Sequence, residues 1–141
     1  SCGQRRLQLS LEGLLSMRVW AVVGDPLQAE EVVDHLMDCG KTVYSVSASG
    51  AEFASTAELD SNPNLPKTEV LAFINQDPAC VRAALGDAVR LGVHGIVLHP
   101  DASSFGPEVV AECRAAGLGV YVTDILSEVR PGSGIAVAPL D

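Results

Sequence analysis

The sequence predicts an α/β protein with a three-layer Rossmann-like fold, in which helices cover both faces of a parallel sheet of about five strands. Short apolar runs rich in β-branched residues alternate along the chain with segments of helical periodicity. Because crossovers between parallel strands are right-handed, this alternation favours a doubly wound sheet, for which we expect the strand order 3-2-1-4-5. The composition agrees, since 48% of the residues are hydrophobic and only 19% are charged, as expected for strands buried on both faces.

The first strand and the helix after it meet at a well-marked corner. Residues 19–23 form an apolar run that stops at Gly24, and Asp25 and Pro26 follow as the N-cap and first residue of a helix. Gln28 stands three residues after Asp25, the spacing of a capping box. A nucleotide or cofactor normally sits at this corner of a Rossmann-like sheet. The G-x-G-x-x-G fingerprint is absent, so we do not expect a standard NAD or FAD site.

The next elements lead to the middle of the chain. A helix over residues 29–39 carries its apolar side chains on one face and ends at Gly40. A second strand is predicted at residues 42–46. Residues 47–67 are rich in Ser, Ala, Asn and Pro, which predicts a long connection with one helical turn near residues 54–59.

The second half continues the alternation of strands and helices. The third, fourth and fifth strands are predicted at residues 70–74, 95–98 and 119–123. The helices between them are predicted at residues 78–91 and 107–116. Asp77 caps the first of these helices and Gly92 ends it. Ser103 or Ser104 caps the second, which ends at Gly117.

The domain organisation follows from these elements. We expect a leading helical segment at residues 1–17, the Rossmann-like domain at residues 18–129 and an irregular tail at residues 130–141. The pattern of the sequence already loses its periodicity at residue 124, so the whole stretch 124–141 is expected to be irregular. No apolar run approaches the roughly 20 residues of a membrane-spanning helix, so no transmembrane segment is expected. We expect an intracellular location, in the cytoplasm or in the matrix or stroma of an organelle.

Charge and cysteine usage exclude several function classes. The net charge is −9, whereas nucleic acids and anionic membranes demand a basic face, so neither is the expected partner. A polyanionic ligand is also disfavoured unless positive groups gather locally. The cysteines are dispersed without a C-x-x-C pair, which predicts buried free thiols rather than a metal or redox site. They are Cys2, Cys39, Cys80 and Cys113.

Candidate site residues follow from position, because ligands of open α/β sheets bind beyond the carboxyl ends of the strands. The polar residues and the glycine at those ends are Gly24, Asp25, Ser47, Asn75, Gln76, His99, Asp101 and Asp124. His99 with a nearby carboxylate such as Asp101 offers an acid–base pair. No nucleophile or metal pattern accompanies that pair, so no catalytic residue and no metal ligand is assigned.

Several segments, taken in order, match a known pattern. They lie at residues 14–15, 19–24, 32–46, 88–93 and 115–120, within a span from Leu11 to Val129. By these segments the chain resembles the small single-domain CoA-binding proteins, whose fold matches the CoA-binding domain of succinyl-CoA synthetase α subunits. The resemblance implies a module that holds coenzyme A, an acyl-CoA or a related adenine nucleotide without an assigned reaction.

The resemblance also implies a set of ligand-facing residues. By position they are Gly24, Asp25 and Pro26 after the first strand, Ser47 and Ala48 after the second, and Asn75 and Gln76 after the third. We add His99, which follows the fourth strand. The predicted cofactor site therefore draws on four neighbouring loops.

Departures from the family pattern concentrate at the phosphate-binding loop. The family's first loop is longer and often carries serine and arginine, whereas here it is short and contains Asp25, Glu30 and Glu31. At ~4 Å and a surface-like dielectric, a carboxylate and a phosphate repel by about 4 kcal/mol before screening. The Asn-Pro that the family carries after the second strand is replaced by Ser47-Ala48. The arginine that often follows the family's third strand is replaced by Gln76-Asp77. The cysteine–lysine stretch near the family's end is replaced by residues 124–128.

Three functions remain open from the sequence. The first is a non-catalytic CoA- or nucleotide-binding module. The second is a degenerate member of the same fold that has no ligand and serves as a structural or accessory subunit, with a protein partner or a second copy of itself. The third is an enzyme that uses His99 and a carboxylate, which ranks behind the other two.

Overall fold

Five parallel strands form the sheet in the part of the chain that the structure describes. The structure, a computed structural model, describes residues 10–60, 63–99 and 107–130. The strands are β1 Val19–Val23, β2 Thr42–Val46, β3 Val70–Phe73, β4 Gly95–Leu98 and β5 Gly119–Val122. The helices are α1 Leu11–Leu15, α2 Pro26–Asp38, α3 Pro78–Leu91, α4 Pro107–Ala115 and α5 Ile125–Glu128, and a 3-10 turn lies at Thr56–Glu58.

The α/β fold and its parallel sheet are confirmed, and most element bounds agree with the predicted ones. β1, β2, β4 and α3 have the predicted bounds, while β3, β5 and α4 are each one residue shorter. α2 begins at Pro26, the first helical residue that the Asp25 N-cap predicts, and so three residues before the range 29–39 that the apolar periodicity gave. The earlier start follows from the Asp25 N-cap, because proline is well suited to the first helical position.

One short helix replaces a stretch that we expected to be irregular. α5 directly follows Asp124, whose carboxylate accepts the N–H of Leu126 at 3.0 Å. Ile125 is fully buried and anchors the helix to the sheet. A single helical turn is too short to show a periodic pattern in the sequence, so this prediction was wrong.

Parts of the sequence interpretation fall outside the described residues. The leading segment is described only from residue 10 onward, where it contains α1. The features outside the described residues are positions 1–9, the tail 131–141, Asp101, Ser103 and Ser104.

The predicted strand order 3-2-1-4-5 is wrong, and the observed order is β2-β1-β3-β4-β5. β3 pairs with β1 on the side away from β2, so β1 has neighbours on both sides. Burial explains the arrangement: every residue of β3 is buried, whereas in β2 buried residues alternate with more accessible ones. A strand that is apolar on both faces belongs in the interior of the sheet, and an alternating strand suits its edge.

Two apolar cores fill the space between the three layers. Alternate residues of β1 serve the two faces, with Ala21 and Val23 on one side and Trp20 and Val22 on the other. The first core packs against α3, α4 and the segment that contains the 3-10 turn, and the second packs against α1, α2 and α5. Each fully buried large side chain contributes about 1.5–3 kcal/mol by leaving water.

Gly24 marks a close approach between the ends of β1 and β3. A Cβ at this position would lie 2.9 Å from the carbonyl oxygen of Ile74 and 3.1 Å from its Cβ. The adjoining backbone is pinned there, because the Ile74 N–H donates to the Val23 carbonyl at 2.9 Å. Gly24 is therefore required by packing against β3.

We expect Gly24→Ala to destabilise the protein by about 1–3 kcal/mol, because backbone atoms must move to admit the methyl group. Gly86→Ala is the matched control: Gly86 is exposed in the interior of α3, and a Cβ there meets nothing within 4 Å. That change should stabilise by about 0.5–1 kcal/mol through helix propensity. Urea denaturation of both variants measures the two effects, and equal stability of Gly24→Ala and the parent protein would contradict the close approach.

Candidate ligand-binding cleft

A cleft with a volume of about 510 Å³ opens beyond the carboxyl ends of β1 and β2, beside the first turns of α3. The chain leaves β1 through α2 towards β2, and leaves β3 through α3 towards β4 in the opposite direction. The change of direction between β1 and β3 is the topological switch point, where ligands of open α/β sheets bind. The volume is in the range of small-molecule sites.

The cleft brings together five of the eight residues predicted for the ligand site. They are Gly24, Asp25, Ser47, Ala48 and Gln76. Pro26 instead lines a smaller depression of about 160 Å³ on the α2 side of the sheet. Asn75 adopts a left-handed backbone conformation, with φ +53°, and its side-chain amide donates to Oε1 of Gln28 at 3.2 Å. That contact differs from the predicted capping box, in which Gln28 would accept from the Asp25 backbone.

His99 is not among the residues that line the cleft. It is 8% exposed, and its backbone N–H donates to the Phe73 carbonyl at 3.1 Å. Its Nδ1 accepts the N–H of Ile125 at 3.4 Å, so the imidazole contacts the first residue of α5. The described contacts of this side chain are structural, and its roles in ligand binding and in acid–base chemistry remain predictions.

Asp25 satisfies the backbone at the start of α2. Its carboxylate accepts the N–H of Leu27 at 2.9 Å. Its carbonyl accepts the N–H groups of Gln28 at 2.9 Å and of Ala29 at 2.8 Å. Pro26 has no N–H to offer. Every amide in the first turn that normally binds an anion is therefore already engaged or absent.

Contacts between the 3-10 turn and α3 form the far wall of the cleft. Thr56 is buried, and its hydroxyl donates to Oδ2 of Asp87 at 2.7 Å. Arg90 donates from Nη2 to the other Asp87 oxygen at 2.7 Å, and its Nη1 contacts Asp60. The hydrogen bonds from Thr56 and Arg90 hold the pKa of Asp87 below its usual value. Asp87 is thus an ionised carboxylate in the cleft wall at neutral pH.

The residues of this wall were not among those predicted for the site. The residues involved are Ala54, Ser55, Thr56 and Ala57 from the long connection, and Cys80, Ala83, Ala84 and Asp87 from α3. The predicted helical turn near residues 54–59 was the one available signal. Its docking against α3 depends on a hydrogen bond between residues 31 positions apart, which no local pattern reveals.

The cleft has acidic electrostatics. Among the described residues that line it, Asp25 and Asp87 are acidic, and none is lysine, arginine or histidine. Burial raises the pKa of the Cys80 thiol, and the charge of Asp77 adds to this effect. Cys80 is therefore a neutral thiol at physiological pH and a poor nucleophile.

A tight turn shapes the rim of the cleft after β2. The Ser47 hydroxyl accepts the N–H of Ser49 at 3.2 Å, and the two hydroxyl oxygens lie 2.8 Å apart. The Ser47 N–H donates to the Phe53 carbonyl at 2.9 Å, and the Phe53 N–H donates to the Ser45 carbonyl at 2.9 Å. Gln76, on the opposite rim, donates to the Ile74 carbonyl at 3.1 Å. These contacts hold the serine and glutamine side chains at the mouth of the cleft.

Two further properties concern the described residues as a group. No cluster of three or more potential metal-binding side chains occurs among them. None of their helices combines the length and apolar character needed to cross a bilayer.

Solved structures share this fold. Prb, described as the PH1109 protein redesigned for binding, matches with a TM-score of 0.67 and 19% identity, over 96% of this chain and 99% of that one. A hypothetical protein from Pyrococcus horikoshii OT3 matches with a TM-score of 0.66 and 17% identity, over 86% and 94%. Cell-free ID.343 from Thermus thermophilus matches with a TM-score of 0.60 and 21% identity, over 82% and 90%.

Comparison by sequence yields no relative. No family model matches the chain, and no curated protein matches it. At the identities above, the structural likeness establishes the α/β fold and leaves the ligand open.

We expect Thr56→Val to destabilise the protein by about 1 kcal/mol at pH 7, because the Asp87 carboxylate loses its buried hydroxyl donor. The pKa of Asp87 is lower in the folded protein than in the unfolded chain, where it is about 3.9. The ionised carboxylate therefore contributes its full stabilisation above the unfolded-state pKa. This stabilisation is lost as the pH falls through the folded-state pKa. The difference in unfolding free energy between variant and parent should therefore shrink as the pH falls below about 4 and through the folded pKa of Asp87.

Denaturant titrations across that range measure the difference. Ser55→Ala is the control, because Ser55 lines the same cleft and its side chain makes no capping hydrogen bond. If the stability lost in Thr56→Val is the same at every pH, the role of the Asp87 charge is contradicted.

Proposed function

We propose that this protein is a non-catalytic binding module whose ligand is coenzyme A or another adenine-bearing nucleotide. The observation that carries the proposal is the cleft at the switch point between β1 and β3, together with the five predicted residues that line it. The resemblance to CoA-binding proteins in the sequence supports the same class of ligand. Neither observation alone identifies the compound.

The chemistry of the cleft walls suits the adenosine part of such a ligand. Val23, Val46, Ala57 and Ala84 provide apolar surface for a planar base. Hydroxyl and amide groups at the rim, such as that of Ser47, provide hydrogen-bonding partners for base edges and ribose hydroxyls. The proposal therefore assigns the base to the α3 side and the ribose to the rim.

The absence of an activated group supports a binding role over a catalytic one. Within the cleft as described, Cys80 is a neutral thiol and Asp87 is engaged by Thr56 and Arg90. Asp25 is engaged by the first turn of α2. A nucleophilic mechanism requires a free general base or a thiol whose pKa is lowered. None of these three groups meets either requirement.

A second candidate is a scaffold that has kept the fold and lost the ligand. The engaged amides at the start of α2 favour it, because the phosphate-binding feature of the fold is closed by Asp25. In this candidate the protein is a structural or accessory subunit inside the cell, bound to a partner protein or to a second copy of itself.

Ligand binding separates the two candidates. Under the first, CoA, acetyl-CoA, ATP, ADP or AMP at one hundred times its dissociation constant should raise the unfolding free energy by about 2.7 kcal/mol, which a thermal-shift assay detects. Ala83→Leu should weaken that ligand at least about tenfold, since the larger side chain of an exposed cleft-lining residue fills the space. Ala111→Leu, at an exposed position of α4 outside the lining, is the control.

The absence of a shift with every one of these compounds, and with adenosine, would sink the binding proposal. A shift that survives equally in Ala83→Leu and in Ala111→Leu would show that the ligand binds elsewhere. Both variants retain helix-favouring residues, so loss of folding is not expected.

Native size tests the scaffold candidate. We expect a structural subunit in its native extract to migrate well above the 14.7 kDa of the free chain in size-exclusion chromatography. Migration only as the free monomer would count against the scaffold candidate. The free purified protein, run on the same column, is the reference.

A further inference from the structure

We infer that the cleft prefers an uncharged adenine nucleoside over its phosphorylated forms, and that Asp25 is the residue that sets this preference. The inference rests on the proposed function, because it concerns the same cleft, and it narrows the ligand to the adenosine part that CoA and the adenine nucleotides share. In this scheme the adenosine part supplies the affinity, and each added phosphate reduces it.

The backbone donors at the start of α2 are not free to bind a phosphate. In phosphate-binding Rossmann-like proteins, free N–H groups of this turn receive the pyrophosphate. Here the N–H of Leu27 donates to the Asp25 carboxylate at 2.9 Å, and the next two N–H groups donate to the Asp25 carbonyl. A phosphate would have to displace the carboxylate of the same charge sign from the donor it holds.

The space beside Gly24 is occupied by Ile74. In dinucleotide sites the glycine at this corner lets the backbone approach the phosphates. The missing Cβ of Gly24 instead faces the carbonyl oxygen and Cβ of Ile74. The space left by the missing Cβ is therefore filled by strand packing and gives a phosphate no closer approach to the backbone.

The charge of the cleft lining disfavours an anionic ligand. Asp25 stands at the β1 side of the cleft and Asp87 at the α3 side, and the described lining has no cationic side chain to offset them. The guanidinium closest to this wall, that of Arg90, is held between Asp87 and Asp60. A ligand that carries phosphates therefore meets like charge on both sides, and an uncharged ligand does not.

The test compares adenosine, AMP and ADP by isothermal titration calorimetry on the full chain and on Asp25→Ser. Serine keeps the N-cap, because its hydroxyl accepts the same N–H, and removes the charge. For the parent protein we expect adenosine to bind at least about tenfold more tightly than ADP. In Asp25→Ser we expect the ratio of the two dissociation constants to fall at least about fivefold.

Asp124→Ser is the matched control, because the Asp124 carboxylate caps α5 through the same two-residue spacing, accepting from Leu126 at 3.0 Å, and lies outside the cleft lining. It should leave the adenosine-to-ADP ratio unchanged. Asp25→Asn, which also preserves an N-cap, keeps the test valid if the serine variant folds poorly. Higher salt should narrow the gap between the adenosine and ADP affinities more in the parent protein than in Asp25→Ser, where only the Asp87 charge remains.

The outcomes separate the two proposals. ADP binding more tightly than adenosine to the parent protein would overturn the inference while leaving the binding module intact. An equal change of the ratio in Asp25→Ser and Asp124→Ser would also overturn it. Binding of none of the three compounds to the parent protein or to Asp25→Ser would overturn the inference, and the proposed function falls with it when CoA and acetyl-CoA also give no thermal shift.

Discussion

The pairing of β3 with β1 is the constraint on which the rest of the structure depends. It places β1 between two parallel neighbours and creates the switch point beyond which the cleft opens. It also forces the ends of the two strands together, so that only glycine fits at position 24 beside Ile74. The chain must then travel from one edge of the sheet to its middle, and residues 47–69 provide that connection. The same connection carries the turn that closes the cleft against α3.

Local patterns in the sequence were sufficient to predict most strands and helices, but they were not sufficient to predict the order of the strands in the sheet. Apolar runs and Asp-Pro caps located the strands and the helices α2 and α3, because each signal lies within a few neighbouring residues. The strand order depends on where a strand is buried in the assembled sheet. The contrast between β3, which is buried throughout, and the alternating β2 was present in the sequence, and weighing it would have favoured the observed order. The single turn of α5 is too short for any periodicity to indicate it.

The candidate site was predictable to the extent that the parallel-sheet rule applies. Residues after β1, β2 and β3 were expected at one edge whatever the strand order, and Gly24, Ser47 and Gln76 do lie together there. His99 follows the same rule in sequence, yet its side chain turns to the start of α5, a helix that was not foreseen. The wall made by Thr56 and Asp87 could not be predicted, since a buried hydroxyl–carboxylate contact across 31 positions leaves no trace in local composition.

Phe53 affects how this sheet can meet other molecules. It forms a one-residue parallel bridge with Val46, in which its N–H donates to the Ser45 carbonyl and its carbonyl accepts the Ser47 N–H. Its ring packs edge-on against that of Tyr44, with the ring centroids 5.7 Å apart. Exposed strand edges are templates for pairing between chains. The carboxyl-terminal half of the β2 edge is thus shielded by the chain itself against strand addition. Within the described sheet, strand addition is therefore left to the amino-terminal half of β2 or to the other edge strand, β5.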